Sequence, residues 1–131
     1  MDIPLACIGL MVFLIYAPRV LVLRAQLAQP GGLDNSNPRE QQSKLEGAGK
    51  RANAAHANSF EAFAPFAAAV LICEHTGATG TAASVLSLVF IAARIVYPIL
   101  YVRDLASARS AVWMVGMVCV AGLYLLPWVS G

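Results

Sequence analysis

Charged side chains are scarce in this sequence. Of its 131 residues, 9 are Lys or Arg and 7 are Asp or Glu, 12% of the chain, whereas soluble domains carry roughly 25%. The formal net charge of +2 is too small to indicate a nucleic-acid partner. Hydrophobic residues make up 59% and the mean hydropathy is +0.68, so the composition predicts an integral membrane protein.

Patterns of cysteine and histidine that bind metals are also missing. Cys7, Cys73 and Cys119 lie in apolar runs without CxxC or Cys/His spacing, and His56 and His75 are isolated from one another. We therefore interpret the cysteines as small buried hydrophobic residues, and we expect no metal site.

Four long apolar runs dominate the chain instead. They predict helices over residues 3–25, 50–73, 79–102 and 108–128, each close to the ~20 residues that a spanning helix needs. Residues 26–49 are rich in Gly, Pro, Asn and charge and predict a surface loop. The other two links are short, which favours antiparallel neighbours. The predicted fold class is an all-α integral membrane four-helix bundle in one domain, 1–131.

The distribution of basic residues predicts an orientation. They flank the first loop and the third link, and they comprise Arg24, Arg39, Lys44, Lys50, Arg51, Arg103 and Arg109. The positive-inside rule places both segments in the cytoplasm and both termini on the opposite side. The cytoplasmic helix ends would then form a cationic region able to hold an anionic ligand.

Polar residues interrupt the second apolar run. At 100° per residue, Arg51, Asn58, Glu61 and Pro65 fall within an arc of about 80° on one helix face. A carboxylate in hydrocarbon is costly, and its usual explanation is a functional or paired site inside a bundle. Pro65, like Pro98 in the third run, has no backbone N–H, so we expect a kinked or loosened helix beside these residues.

The third run carries a second polar stripe. Arg94, Tyr97 and Tyr101 are spaced i, i+3 and i+7 and cover an arc of about 60°. They are consistent with a ligand site. They are equally consistent with a structural Arg94–Glu61 ion pair and tyrosines at the membrane interface, because pairing is how buried charges are usually tolerated.

These motifs resemble those of the membrane-associated proteins in eicosanoid and glutathione metabolism, the MAPEG family. The resemblance is carried by R-A-x-x-A-H-x-N-x-x-E-x-x-x-P from Arg51 to Pro65, by R-x-x-Y-x-x-x-Y from Arg94 to Tyr101, and by Arg109-Ser110. It covers essentially the whole chain, and its most specific part is the core from Asn58 to Pro65.

The resemblance implies a homotrimer of four-helix subunits. Glutathione would bind between neighbouring subunits in a site open to the cytoplasm. The chain resembles a short bacterial-type member related to microsomal glutathione transferases, which implies the bacterial inner membrane. One departure is Ala54, four residues before Asn58, where well-studied mammalian members have arginine.

The resemblance also implies roles for individual residues. Those implied in catalysis are Arg109, Tyr101 and Ser110, with either Arg109 or Tyr101 stabilising the thiolate. Those implied in glutathione binding are Arg24, Arg51, Asn58, Glu61, Arg94, Tyr97 and Tyr101.

The expected function is activation of the glutathione thiol without a metal. The thiolate would attack a lipophilic electrophile arriving from the membrane lipids, or reduce a lipid hydroperoxide. One alternative is a non-enzymatic lipid-binding partner protein of the same family. Another is a small transporter or assembly subunit in which Glu61 carries protons. The presence of Arg94, Tyr97, Tyr101 and Arg109 favours the enzyme.

Overall fold

The structure is a computed structural model that describes residues 2–129. Helices make up 82% of it, and the described part contains no strand. The helices are α1 (Ile3–Tyr16), α2 (Arg19–Leu27), α3 (Pro38–Ser43), α4 (Gly47–Thr76), α5 (Thr81–Val102) and α6 (Ala106–Val129). Four segments are long and apolar enough to cross a membrane, namely α1 with α2, α4, α5 and α6. The fold is therefore the all-α membrane bundle that the sequence predicts.

The first span differs from the single helix predicted over 3–25. It consists of α1 and α2, which are separated by a turn at Ala17 and Pro18. Pro18 has no N–H to donate to the carbonyl of Leu14, so one helical hydrogen bond is lost at this point. By contrast, α4 continues through Pro65 and α5 through Pro98, so proline interrupts neither of these helices.

The segment predicted as a loop, 26–49, is more ordered than expected. It contains α3, which begins with Pro38 in the first turn, a position that proline favours. The buried Gln26 donates from Nε2 to Oε1 of Gln41 over 2.9 Å, and Gln41 donates from Nε2 to the carbonyl of Gly32 over 2.7 Å. These bonds join α2, the glycine turn and α3 into one unit.

Two central helices organise the bundle. Each of α4 and α5 packs against the other and against both α1 and α6. Phe66 of α4 stacks on Phe90 of α5 with ring centroids 4.0 Å apart, and Met11 and Leu123 are fully buried in the same apolar core. Polar residues of α4, α5 and α6 lie nearer the bundle end where α5 finishes and α6 begins. The core thus holds the three helices together beside this polar region.

Candidate functional site

A polar cleft lies between α4, α5 and α6. Its volume is about 280 Å³, and its lining residues are Asn58, Tyr97, Tyr101, Arg109, Ser110 and Trp113. The turn between Val102 and Ala106 brings the last two turns of α5 beside the first two turns of α6. All the lining residues except Trp113 are candidates identified in the sequence.

Arg94 lies behind the cleft and orients Asn58. The Arg94 side chain is buried, with 3% of the residue exposed. Its Nη1 and Nη2 each donate to Oδ1 of Asn58 over 3.1 Å, and Nη2 also donates to Oγ of Ser59 over 3.2 Å. A guanidinium presents its donors in a rigid fork. The Asn58 amide is therefore held with its oxygen toward Arg94.

The other end of the Asn58 amide contacts Glu61. Nδ2 of Asn58 donates to Oε2 of Glu61 over 3.3 Å, one helical turn away on an exposed side chain. Within the described chain, Arg94 and Glu61 form no direct ion pair, so the pair considered from the sequence is wrong. Asn58 instead lies between the guanidinium and the carboxylate.

Cations and aromatic rings alternate along one wall of the cleft. Cζ of Arg94 lies 4.4 Å from the ring centroid of Tyr97, and Tyr97 and Tyr101 meet edge to face at 5.6 Å. Cζ of Arg109 lies 4.3 Å from the ring centroid of Tyr101. Cations over aromatic faces at such distances are attracted by the ring quadrupole. The Tyr101 ring therefore positions the Arg109 guanidinium at the cleft.

The side chain of Arg109 makes a contact with an aromatic ring but no hydrogen bond to any of residues 2–129. Its guanidinium is partly exposed at the cleft. Tyr101 is partly exposed as well, whereas Tyr97 is buried. Arg109 and the Tyr101 hydroxyl are thus available to a ligand in the cleft.

Two of the predicted ligand-binding arginines lie outside this cleft. Arg51 donates from Nε to the carbonyl of Val102 over 3.0 Å, and its Nη1 is 3.9 Å from Oδ2 of Asp104. It joins the first turns of α4 to the end of α5. Arg24 is exposed on α2 and is not among the lining residues. Their roles as ligand contacts remain predictions.

The sequence analysis missed two residues of this region. Trp113 forms part of the cleft wall, and its position four residues after Arg109 would have placed it on the same helix face. Ser59 accepts a hydrogen bond from Arg94 while its own hydroxyl donates to the carbonyl of Ala55 over 2.9 Å. Serine is common enough in helices that nothing in the sequence distinguishes Ser59.

A second, larger cleft of about 740 Å³ lies on another face of α4, against α1, α2 and α3. Arg19 and Arg39 line it together with an aromatic group formed by Tyr16, His56 and Phe60. Nδ1 of His56 donates to the carbonyl of Ile15 over 2.7 Å. The other ring nitrogen, Nε2, takes no part in this hydrogen bond. This second cleft is also cationic and lies near the same end of the bundle.

The described residues contain no cluster of three or more His, Cys, Asp or Glu side chains arranged to hold a metal ion. The model of the MAPEG family matches residues 3–128 of the chain. No curated protein and no solved structure matches the chain.

Proposed function

The chain belongs to the MAPEG family, and from this we propose that it binds glutathione and activates its thiol toward lipophilic substrates in the membrane. MAPEG members include glutathione transferases as well as non-enzymatic proteins. The choice between them therefore rests on what the cleft residues can do chemically.

The observation that carries the proposal is the placement of Arg109. Its guanidinium lies over the Tyr101 ring, and none of residues 2–129 accepts a hydrogen bond from it, in a cleft that also contains Ser110. A free thiol has a pKa of about 8.5, and a nearby cation lowers that pKa and increases the thiolate fraction at neutral pH. Arginine remains charged throughout and donates in a fork, so it suits a site where negative charge develops on sulfur.

The remaining polar groups match the rest of the glutathione molecule. Glutathione has an ammonium group, two carboxylates and peptide amides. The exposed Glu61 carboxylate can pair with the ammonium group, because Arg94 does not neutralise it directly. The Asn58 side chain, fixed by Arg94, can bind an amide or a carboxylate of the ligand.

Two reactions are open to the activated thiolate. In conjugation, sulfur forms a bond to an electrophilic carbon, and the leaving group departs with its electron pair. In peroxide reduction, sulfur attacks the terminal peroxide oxygen, the O–O bond breaks with release of the alcohol, and sulfur becomes a sulfenic acid. A second glutathione thiol then attacks that sulfur and gives the disulfide and water. In both reactions the protein contributes charge stabilisation and positioning at Arg109 and Tyr101.

We further propose that the working unit is a homotrimer in a bacterial inner membrane. The cleft is open on one side and small for a tripeptide, so an adjoining copy would complete it. The basic residues of the first loop and of the α5–α6 turn support a cytoplasmic location for the cleft, with both termini outside.

Calorimetric titration of the purified protein in detergent with glutathione tests this proposal. We expect saturable binding, and we expect Glu61→Gln to weaken it by about 1.5–3 kcal/mol through loss of one charge-assisted hydrogen bond. Glu46→Gln is the matched control, because Glu46 is exposed just before α4 and lies outside the cleft.

Absence of saturable binding would overturn the proposal and favour the non-enzymatic lipid-binding alternative. Normal binding by Glu61→Gln would instead assign Glu61 a structural or proton-carrying role.

A further inference from the structure

An apolar groove runs along the outer side of the bundle, between the first span and α5. Its volume is about 380 Å³, and no residue of α4 or α6 lines it. The α5 wall includes Ile95, Pro98 and Ile99, and the opposite wall includes Leu14 and Leu21. Apart from two arginines, the side chains along it are hydrocarbon.

The groove exists because of the residues at its middle. Ala17 and Pro18 form the turn between α1 and α2, and Pro98 lies on the facing helix. None of these residues has a long side chain. The larger Leu14 and Leu21 stand on either side of the turn, so a depression remains between them. A depression of this kind can accept a flexible hydrocarbon chain.

Charge is present at both ends of the groove. Arg103, just after the end of α5, is exposed, and none of the described residues accepts a hydrogen bond from its guanidinium or forms an ion pair with it. Arg94 lies nine residues deeper along α5, about 13 Å at the helical rise; it is buried, and its Nη1 and Nη2 donate to Asn58 and Ser59. The free cation is therefore at the end of the span, where lipid headgroups lie.

We propose that this groove binds one acyl chain of an anionic phospholipid whose phosphate pairs with Arg103. The chain would extend from the headgroup level at Arg103 toward the depth of Arg94 and fill the depression at Ala17 and Pro18. Arginine matches phosphate geometry with paired donors. This inference does not depend on glutathione binding at the Asn58 cleft.

A lipid fits the groove better than a second copy of the chain does. The residues that must be shielded from hydrocarbon, Asn58 and Glu61, belong to α4, which contributes nothing to this groove. A copy that covered those residues directly would contact α4, which is not part of the groove wall. The groove itself combines hydrocarbon walls with an exposed arginine at its headgroup end, and this pattern complements an anionic lipid.

Native mass spectrometry of the purified assembly with added lipid tests the charge contact. The probes are phosphatidylglycerol, which is anionic, and phosphatidylcholine, which is zwitterionic. We expect the native protein to retain phosphatidylglycerol in preference to phosphatidylcholine. In Arg103→Gln this preference should be about fivefold smaller, which is the effect of one arginine near an anionic headgroup. Arg39→Gln is the control, because Arg39 is exposed near the same end but lies outside the groove.

Three results of this experiment would overturn the proposal. The native protein could show no preference, Arg103→Gln could keep the preference, or both variants could lose it equally. The last result would assign the preference to general surface charge.

A second pair of variants tests the groove itself. Ala17→Phe adds a ring at the depression, whereas Val118→Phe adds one at an exposed position on α6 outside the groove. We expect Ala17→Phe to reduce the number of retained lipids while Val118→Phe leaves it unchanged. Equal retention by both variants contradicts the proposal. Dissociation of subunits in Ala17→Phe alone also contradicts it, because the groove would then be an interface between copies.

Discussion

Arg94 is a buried cation whose acceptors are neutral. Burying a guanidinium is costly unless its donors are satisfied, and here the amide of Asn58 and the hydroxyl of Ser59 accept from Nη1 and Nη2, while Nε has no hydrogen-bond partner among the described residues. The face of Tyr97 adds a cation–π contact at 4.4 Å. Arg94 thus supports the cleft from behind by orienting Asn58, and the Glu61 carboxylate remains available to a ligand.

Two buried serines should respond in opposite ways to alanine. Ser59→Ala removes an acceptor from a buried charged donor and should destabilise the protein by about 1.5–3 kcal/mol. Ser87 is equally buried, but its hydroxyl forms no hydrogen bond with any residue from 2 to 129. Ser87→Ala should therefore be neutral or stabilising.

Thermal unfolding in detergent measures both effects under the same conditions. A Tm lowered in Ser59→Ala and unchanged or raised in Ser87→Ala is the expected pair of results. Equal losses in the two variants would show that Arg94 does not depend on Ser59.

At the residue scale, the sequence predicted the members of the site better than their contacts. Helical spacing brought Asn58 and Glu61 to one face of α4, and Arg94, Tyr97 and Tyr101 to one face of α5. It did not determine which residue of α4 meets Arg94, because that depends on the relative rotation and depth of the two helices. The amide, rather than the carboxylate, lies opposite the guanidinium.

At the scale of elements, α2 and α4 approach each other very closely at one glycine. A Cβ atom placed on Gly49 would lie 2.5 Å from Cβ of Ala25. Ala25 has no flexible side chain that could move aside, so only a shift of the helices would relieve the contact. This contact sets the position of the first turns of α4, from which Arg51 reaches the end of α5.

Gly49→Ala should therefore separate α2 from α4 and destabilise the protein by about 1–3 kcal/mol, as overpacking does. Gly9→Ala is the matched control, because a Cβ there meets nothing within 4 Å on α1. Removing a helical glycine at an open position should be neutral or slightly stabilising. Chemical denaturation in detergent compares the two, and equal stability of both variants would contradict the close approach.

The elements were predictable where the apolar runs were long and less so near proline. Hydropathy alone indicated the four spans. The turn at Pro18 and the start of α3 at Pro38 both have sequence signals. Proline in a helix interior tends to break the helix, and proline is favoured in the first turn of a helix. Yet Pro65 and Pro98 do not interrupt their helices. The outcome at each proline depends on the packing of neighbouring helices, which no local pattern contains.

On the scale of the whole molecule, the single chain leaves most of each span uncovered. Only 22–33% of the residues in the apolar windows are buried within it. Lipid can cover the hydrocarbon surface but not the polar face of α4 around Asn58 and Glu61. Association of copies through that face would shield it.

We therefore predict a homotrimer. Native mass spectrometry under conditions that preserve glutathione binding should give a mass three times that of the chain. Monomer alone under those conditions would contradict the prediction and would require the cleft to function without an adjoining copy.

The central claim is that the cleft stabilises the glutathione thiolate, and ultraviolet difference absorbance of the bound thiolate tests it most directly. A pH titration of glutathione bound to the native protein should give a thiol pKa below the ordinary value of about 8.5. Arg109→Ala should raise that pKa and lower turnover while leaving glutathione affinity nearly unchanged, since the lost interaction strengthens as charge develops on sulfur.

Tyr101→Phe provides the comparison, because it removes the hydroxyl but keeps the ring that positions Arg109. A raised thiol pKa in this variant alone would assign the stabilising role to Tyr101. An ordinary thiol pKa in the native protein would contradict the account. It would also be contradicted if both variants kept the thiol pKa and the turnover of the native protein.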